Sequence, residues 1–270
     1  MKPVSFVKVV GTGNDFILVD GRSQSLKSAL PALAKSWCDR QRGIGGDGLL
    51  VIGPSKKADA RMRIFNSDGS EATMCGNGLR CVGWYLHSKD HGKKTLTVET
   101  EAGVMAVRVT GTERVRIDLP APAKIQLGLF LFHKGTHIRL HAVNTGVPHA
   151  VYLVPRCDSV DLASLGPVIR HHRLFQPAGT NVNIAQIDSP HQVQLRTYER
   201  GVEGETLACG TGAVAAVVVG AALKKLESPV QVKTRSGETL TVGFSRSGET
   251  FDRLTLEGPA RICFEGVMAR

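Results

Sequence analysis

The sequence contains few aromatic residues and no apolar run long enough to cross a membrane. Phe, Trp and Tyr together make up 5% of the 270 residues. The longest nearly unbroken apolar run covers only residues 213–223, whereas a membrane-spanning helix needs about 20 residues. The N-terminal segment also lacks the sustained apolar stretch and small-residue cleavage site of a secretory signal. We therefore expect a cytoplasmic protein that does not contact a membrane.

Cys-x-x-Cys pairs and clusters of basic residues are absent as well. Disulfides are rare in the cytoplasm, so the six cysteines are expected to be free thiols, and without a Cys-x-x-Cys pair we expect no metal site. The formal net charge is +10, but the densest basic clusters are pairs such as Lys56-Lys57 and Lys224-Lys225. Because no basic stretch is interleaved with aromatics, we do not expect nucleic-acid binding. We interpret the surplus of positive charge as ordinary surface charge that also attracts an anionic substrate weakly.

The two halves of the sequence resemble each other. Cys75-Gly76-Asn77-Gly78 and Cys209-Gly210-Thr211-Gly212 share the pattern Cys-Gly-x-Gly, and the second cysteine follows the first by half the length of the chain. Two further pairs of segments recur at nearly the same displacement: 12–13 with 145–146, and 63–66 with 196–199. Three segments in the same order at nearly constant displacement indicate a duplication, in which each half supplies one cysteine.

Residue patterns predict seven strands in each half. They lie at residues 4–10, 16–20, 49–52, 60–65, 95–100, 103–109 and 114–119, and at 138–143, 150–154, 182–187, 192–198, 230–234, 239–244 and 252–257. Each Cys-Gly-x-Gly segment precedes a predicted helix, at residues 79–89 and 213–225, and surface helices are predicted at 24–38 and 162–171. The helix at 213–225 consists mainly of Ala, Val and Gly, so we expect it to be buried on all sides by curved sheet.

These patterns predict a mixed α/β (α+β) protein of two domains. Residues 1–119 form the N-terminal domain, which supplies Cys75, and residues 120–260 form the C-terminal domain, which supplies Cys209. The last residues, about 260–270, are expected to return to the first domain. Pro120 and Pro122 fall in the link between the halves.

A cysteine at a helix start suggests proton-transfer chemistry. The unpaired N–H groups and partial positive charge of a helix N-terminus stabilise a thiolate, and the same N–H groups bind carboxylates. Two such elements on one substrate would place a sulfur on each face of the carbon that bears the carboxylate. This arrangement suits inversion at an α-carbon, because one thiolate removes the α-proton while the opposite thiol delivers another. We interpret the other four cysteines as small buried hydrophobic residues: Cys38, Cys81, Cys157 and Cys263.

Several motifs resemble the signature set of the diaminopimelate epimerase family, in its order and over almost the whole chain. They are Gly11-Thr12-Gly13-Asn14-Asp15-Phe16, Phe65-Asn66-Ser67-Asp68-Gly69-Ser70, Pro148-His149, Glu199-Arg200-Gly201 and both Cys-Gly-x-Gly segments. The resemblance implies a cofactor-independent enzyme that interconverts LL- and meso-2,6-diaminopimelate, on the pathway to lysine and peptidoglycan. It also implies two pseudo-symmetric domains, each with a barrel-like, mostly antiparallel sheet around a central helix.

The resemblance also assigns roles to individual residues. It implies that Cys75 and Cys209 are the acid/base pair and that His149 and Glu199 assist them. The reacting carboxylate is expected on Gly76, Asn77, Gly210 and Thr211, and the rest of the substrate on Asn14, Asn66, Asn183, Glu199 and Arg200. A guanidinium and several amides suit a distal centre that carries a carboxylate and an ammonium group.

Two positions depart from the pattern of many family members. Val147 stands where many carry Asn, and Gly48 stands where some carry a substrate-contacting Gln. Both changes remove polar contacts, so a broad-specificity variant stays open as an alternative.

Three other hypotheses remain. A cofactor-independent racemase of the proline racemase kind typically carries His at the position of Asn77, and an isomerase of the phenazine-biosynthesis type lacks the paired cysteines. A non-catalytic module for anionic ligands would need the helix ends but neither sulfur. The sequence leaves open whether the chain forms a homodimer.

Overall fold

The protein is described from a computed structural model that covers residues 3–24, 26, 29–90 and 92–268. The chain forms two compact units. Unit 1 consists of Met1–Asp118 and Glu257–Arg270, and unit 2 of Leu119–Leu256. Within the described residues, each helix is too short or too polar to cross a membrane.

The elements of unit 1 come from both ends of the chain, and those of unit 2 from its middle. The first part of unit 1 contains β1 (Val4–Gly11), β2 (Asn14–Asp20), α1 (Leu30–Cys38), β3 (Gly48–Gly53), β4 (Ala60–Asn66), β5 (Glu71–Ala72), α2 (Gly76–Lys89), β6 (Thr95–Thr100), β7 (Gly103–Gly111) and β8 (Arg114–Leu119). The following elements are β9 (Ala123–His133), β10 (Thr136–Asn144), β11 (Pro148–Leu153), α3 (Leu162–Arg170), β12 (Asn181–Ser189), β13 (Gln192–Glu199), β14 (Gly204–Thr206), α4 (Gly210–Ala222), β15 (Val230–Lys233), β16 (Thr239–Ser247), β17 (Thr250–Pro259) and β18 (Arg261–Met268). Short 3₁₀ turns lie at Cys157–Ser159 and Arg173–Phe175.

The two units repeat one pattern of strand pairing. In unit 1, β1 pairs antiparallel with β2, β2 parallel with β3, β3 antiparallel with β4, and β4 parallel with β6, which pairs antiparallel with β7. In unit 2, β10 pairs with β11, β11 with β12, β12 with β13, β13 with β15 and β15 with β16, in the same sequence of orientations. The duplication inferred from the sequence is therefore present in the topology.

In each unit, the strands pack against one central helix. In unit 1, α2 packs against β1, β2, β3, β4, β6 and β7; in unit 2, α4 packs against β10, β11, β12, β13 and β16. All residues of α4 from Gly212 to Ala221 are buried, which confirms the prediction from its Ala- and Val-rich composition. Strands β2 and β3 are also buried almost continuously, as expected for a parallel pair covered on both faces. The predicted mixed α+β fold is confirmed.

Two amphipathic helices cover the outer faces of the sheets. Leu33, Ala34 and Trp37 of α1 pack with Phe65 and other apolar residues of unit 1. In unit 2, α3 contacts β12 and β13, and an added Cβ at Gly166 would lie 2.5 Å from the Tyr198 ring. The helix predicted at residues 24–38 begins only at Leu30, although residues 25, 27 and 28 lie outside the described part of the chain.

The last strand closes unit 1 rather than unit 2. Strand β18 pairs antiparallel with β1, with Met268 opposite Val4 and a register shift between Lys8 and Val9. Neither β18 nor β9 was among the predicted strands. Local sequence patterns do not report a pairing partner at the opposite end of the chain, and β9 follows directly on the proline-containing link.

Candidate active site

The unit 1 half of the candidate site is built on the first turn of α2. Cys75 is the N-cap residue with an extended backbone, and its Sγ accepts a hydrogen bond from the Gly78 N–H at 3.4 Å. The Leu79 N–H bonds to the Cys75 carbonyl at 2.8 Å. The first turn of α2 contains no acidic residue, so no carboxylate of the helix itself offsets its positive end. The thiol is half-buried.

Unit 2 repeats this geometry at the start of α4. Cys209 is the N-cap, and its Sγ accepts a hydrogen bond from the Gly212 N–H, again at 3.4 Å. The Thr211 hydroxyl lies 3.4 Å from the same sulfur, and the Thr211 carbonyl accepts a hydrogen bond from Thr145 at 3.0 Å. This first turn also lacks an acidic residue. Both cysteines thus occupy the same capping position, but Cys209 is buried while Cys75 is half-buried.

The side chain of Asn77 is held inside unit 1. Its Oδ1 accepts a hydrogen bond from the buried Arg80 at 2.6 Å, and its Nδ2 donates to Asn14 Oδ1 at 2.5 Å. Asn14 in turn donates from Nδ2 to Asp47 at 2.9 Å. These bonds fix the side-chain amides of Asn77 and Asn14. Because Asn77 lies in the first turn of α2, its backbone N–H remains at the helix end.

Ion pairs of Asp15 and Asp47 hold the loop that carries Asn14. Arg40 bridges Asp15 at 2.6 Å and Asp47 at 2.9 Å, and Lys8 lies 2.6 Å from Asp15 and donates to the carbonyl of Gly45. Burial works to raise the pKa of the Asp15 carboxyl, but the hydrogen bonds and charges of Arg40 and Lys8 outweigh it and leave that pKa lowered. Asp15 therefore stays ionised and keeps the loop that carries Asn14 in place.

Asn66 lies in a turn at the end of β4. Its Nδ2 donates to the Ser70 hydroxyl at 2.9 Å, and that hydroxyl donates to Asp68 at 2.6 Å. The Asn66 side chain is exposed, so it remains accessible to a ligand. Glu199 occupies the matching place at the end of β13 in unit 2, where its Oε2 accepts a hydrogen bond from Thr206 at 2.9 Å.

His149 is buried within unit 2. Its Nδ1 lies 3.0 Å from Asn183 Nδ2, which also donates to the Ala150 carbonyl at 3.1 Å. Asn183 Oδ1 accepts a hydrogen bond from the Thr197 hydroxyl at 3.0 Å. Burial, with a smaller contribution from the positive charge of Arg200, lowers the pKa of His149 to about 3. The imidazole is therefore neutral at physiological pH.

Asn181 and Asn183 lie two residues apart on β12 and form hydrogen bonds with different partners. Asn181 Oδ1 accepts a hydrogen bond from the Arg200 backbone N–H at 2.7 Å, and the Arg200 guanidinium donates to the Ala178 carbonyl at 3.2 Å. Asn183 is fully buried, and its amide bonds to three groups of unit 2. Its predicted contact with substrate stays a prediction, and the structure shows its amide engaged with His149 instead.

The remaining cysteines divide by burial. Three of them are buried thiols whose pKa is raised by burial, that of Cys38 to about 11, that of Cys157 to about 12, and that of Cys81 further still. The expectation that Cys263 is buried is wrong. It is exposed because it faces outward on β18, where most side chains are accessible.

Of the two positions that depart from the family pattern, Gly48 has a local structural explanation. An added Cβ at Gly48 would lie 2.7 Å from the Phe65 carbonyl oxygen, so a side chain there would require the backbone of β4 to shift. Val147 lies partly exposed in the turn before β11, and its carbonyl accepts a hydrogen bond from the Thr145 N–H at 3.2 Å. This bond involves only the backbone, and nothing in the structure explains the valine side chain at this position.

Three residues of the site were not predicted: Thr197, Asn181 and Gly212. An added Cβ at Gly212 would lie 2.4 Å from Asn183 Oδ1, so the last glycine of the second Cys-Gly-x-Gly segment gives room to a buried amide. The repeat that relates segment 63–66 to segment 196–199 also maps Thr197 onto Ile64. The repeat thus aligns a polar residue of unit 2 with an apolar residue of unit 1, and this difference is the sequence signal that could have identified Thr197.

Comparison with sequence families gives one consistent result. The family model "Diaminopimelate epimerase" matches residues 6–125 and 141–261. The diaminopimelate epimerase of Chlorobaculum tepidum is 42% identical over 261 residues, which cover 96% of this chain and 98% of that protein. That of Archaeoglobus fulgidus is 39% identical over 278 residues, with 98% and 96% coverage.

Solved structures share the fold at much lower identity. A Bacillus anthracis phenazine biosynthesis protein of the PhzF family superposes with a TM-score of 0.75 at 17% identity and full coverage of both chains. A hydroxyproline epimerase from Agrobacterium vitis gives a TM-score of 0.73 at 16% identity, and the match covers 99% of this chain and 92% of that one. At these identities the likeness concerns the fold alone.

Proposed function

The chain belongs to the diaminopimelate epimerase family, a family of isomerases, and on this premise we propose that it interconverts LL- and meso-2,6-diaminopimelate through Cys75 and Cys209. The observation that carries the proposal is the matched pair of N-cap cysteines. Each sulfur accepts a hydrogen bond from the third residue after it at 3.4 Å, at the start of the central helix of its unit. The same geometry at both helix starts supports a shared role for the two sulfurs.

In the proposed reaction, one cysteine acts as thiolate and the other as thiol. The thiolate takes the α-proton, so that the Cα–H bond breaks and an S–H bond forms. The thiol on the opposite face gives its proton to the carbanion, which forms a new Cα–H bond of inverted configuration and leaves a thiolate behind. The substrate gains and loses one proton, no electrons are transferred to another group, and the roles of the two sulfurs are exchanged.

The carbanion needs stabilisation without a cofactor. Backbone N–H groups at the starts of α2 and α4, from Gly76, Asn77, Gly210 and Thr211, are proposed to bind the carboxylate on which negative charge develops. Neither first turn carries an acidic side chain, and fixed N–H dipoles stabilise such charge without reorganisation.

The groups around the substrate's other end are proposed from the same comparison. Asn14 is oriented by Asn77 and Asp47, Asn66 is exposed in its turn, and Arg200 is held through its backbone by Asn181. Glu199 and the neutral His149 are proposed to assist beside the thiols. The cytoplasm as location remains a prediction, and a homodimer remains open.

Exchange with deuterated water tests the proposal. Purified protein is incubated with LL-diaminopimelate in D₂O, and α-deuterium and the meso isomer are followed by NMR and chiral chromatography. Wild type is expected to incorporate deuterium during conversion, whereas Cys75→Ala and Cys209→Ala should lose conversion by at least about 10³-fold, as for removal of a proton-transfer group.

The exposed Cys263 provides the matched control, because Cys263→Ser removes a thiol outside the proposed site. This variant is expected to keep wild-type conversion. Unchanged conversion in Cys75→Ala would overturn the two-base mechanism. Equal activity on proline or 4-hydroxyproline would favour a racemase of the proline racemase kind instead.

A further inference from the structure

A chain of three buried polar side chains runs through the sheet of unit 2. We name Thr197, Asn183 and His149 the polar chain; they are 2%, 0% and 1% exposed. They lie on the three adjacent strands β13, β12 and β11. The hydroxyl of Thr197 donates to Asn183 Oδ1 at 3.0 Å, and Asn183 Nδ2 lies 3.0 Å from His149 Nδ1.

These bonds determine the tautomer of His149. Asn183 Nδ2 also donates to the Ala150 carbonyl, which can only accept, so the amide has one orientation. Nδ2 therefore donates to Nδ1 of the ring, which must carry a lone pair. A neutral imidazole has one N–H, so the proton of His149 resides on Nε2.

The Nε2 atom is buried as well, and within the described residues no group of the protein accepts its proton. A buried N–H without an acceptor is energetically unfavourable. The neutral state of the ring agrees with its lowered pKa. The polar chain thus ends on a fixed donor that lacks an acceptor within unit 2 itself.

Unit 1 has an apolar counterpart at each position of the polar chain. The displacement between the repeated segments maps Phe16, Leu50 and Ile64 onto His149, Asn183 and Thr197, and all three are buried. The strand registers agree, since Leu50 lies opposite Ile64 as Asn183 lies opposite Thr197.

Leu50 and Asn183 also face matching glycines of the two central helices, Gly78 in α2 and Gly212 in α4. An added Cβ at Gly78 would lie 2.9 Å from the Leu50 side chain, and one at Gly212 would lie 2.4 Å from the Asn183 side chain. The fold therefore packs this layer with apolar side chains in unit 1. The fold of unit 1 thus forms without polar side chains in this layer, and in unit 2 the polar chain contacts Gly212 in the turn that follows Cys209.

We infer that Asn183 and Thr197 are positioning residues, which hold His149 in the Nε2–H tautomer and in one ring orientation so that it serves as a neutral hydrogen-bond donor in the proposed reaction. The inference rests on the proposed function, because it gives His149 a place in that reaction. His149 then stabilises negative charge by a hydrogen bond and does not itself supply a proton. The buried imidazole therefore belongs to unit 2, where unit 1 has the buried Phe16 at the matching position.

The tautomer can be measured without substrate. In ¹⁵N-labelled protein, long-range ¹H–¹⁵N correlations distinguish a protonated from an unprotonated ring nitrogen, and the His149→Gln spectrum identifies the signals. Wild type is expected to show Nε2–H. In Asn183→Asp the carboxylate accepts but does not donate, so the proton is expected to move to Nδ1. A wild-type ring protonated on Nδ1, or an Asn183→Asp ring unchanged from wild type, would overturn the inference.

Kinetics supply a second, milder test. Thr197→Val keeps the shape but removes the hydroxyl that orients Asn183, and is expected to lower kcat by roughly 10-fold with little change in KM, as for a misplaced catalytic group. Thr197→Ser restores the hydroxyl and should recover kcat. Ile64→Val at the matching position of unit 1 is the control and should leave kcat unchanged.

Unchanged kcat and ring signals in Thr197→Val, or an equal loss in Ile64→Val, would contradict the inference. The two proposals fail separately. A wild-type protein that shows the Nε2–H tautomer but exchanges no α-proton would overturn the proposed function while the positioning of His149 stands.

Discussion

The cysteines of this chain lie in different surroundings, and these surroundings determine how reactive each thiol is. Burial raises the pKa of Cys38, Cys81 and Cys157, so these side chains remain protonated and inert. Cys75 and Cys209 instead cap helices and accept hydrogen bonds at sulfur. Residue type alone does not separate these groups, but the glycine-flanked repeat does.

Alkylation should follow this division. With iodoacetamide at about pH 7.5, Cys75 is expected to react well before the three buried thiols, because its sulfur is half-buried at a helix N-terminus, where a thiolate is stabilised. The reaction is run in Cys263→Ser protein, which removes the exposed thiol. Peptide mass mapping over time gives the order. Modification of Cys38 as fast as that of Cys75 would show that the described burial does not protect it.

The residue scale also shows where sequence patterns reach their limit. Two asparagines of one strand, Asn181 and Asn183, share a face because side chains alternate with period 2. The family resemblance was applied to Asn183, yet the structure connects Asn181 to Arg200 and Asn183 to His149. Hydrogen-bond partners on neighbouring strands give the two asparagines different surroundings, and such partners are not visible in the sequence of a single strand.

At the scale of elements, both central helices begin with the same four-residue pattern and continue differently. Helix α4 is buried along most of its length, whereas α2 has exposed residues near its C-terminal end. The third helical residue is glycine in both, at Gly78 and Gly212. This position faces the sheet, and the side chain of the sheet that lies nearest to it determines whether a Cβ could be accommodated.

Substitution at these two glycines should therefore have unequal effects. Alanine normally stabilises a helix relative to glycine by up to about 1 kcal/mol. A Cβ at position 212 would lie 2.4 Å from Asn183 Oδ1, which is held by its hydrogen bonds. We expect Gly212→Ala to lower the free energy of unfolding by roughly 1–3 kcal/mol, the usual cost of overpacking.

Gly78→Ala is the matched control, because its Cβ would meet the Leu50 side chain at 2.9 Å, which has no hydrogen bond to lose. Its cost, measured by urea unfolding of both variants, should be the smaller one. Equal costs would show that the polar chain does not constrain position 212.

At the scale of the whole molecule, the duplication was the most informative feature of the sequence. It predicted two units with one topology, and the strand pairings repeat in the same order. The positions of most strands also followed from local patterns. The last residues were expected to return to the first domain, but local patterns did not give a strand there or its pairing with β1, because the two segments are far apart in sequence. Nor did local patterns give the polar chain, which becomes visible only when the two units are compared position by position.

Stability should depend on pH through the buried imidazole. The pKa of His149 is about 3 in the folded chain and about 6.5 in an unfolded one. The unfolded state thus binds a proton that the folded state excludes. This contribution is fully present above about pH 6.5 and is lost as the pH falls towards 3, at up to about 1.4 kcal/mol per pH unit.

Urea unfolding at about pH 7 and pH 5 measures this effect. The free energy of unfolding should fall between these values in wild type, and it should fall less in His149→Gln, which cannot titrate at this position. His141→Gln is the comparison, since burial lowers the pKa of His141 too, although His141 is not a member of the polar chain. The same pH dependence in wild type and His149→Gln would contradict the assigned burial of the imidazole.

The pairing of β1 with β18 bears on the order in which the chain folds during synthesis. Unit 2 is formed by one continuous segment, so all of its residues are synthesised before the final strand. Until that strand emerges, one edge of β1 has no partner and exposes its backbone groups, a state that invites pairing with other chains. The middle of this protein is therefore expected to mature before its beginning, the reverse of the usual order for domains on a nascent chain.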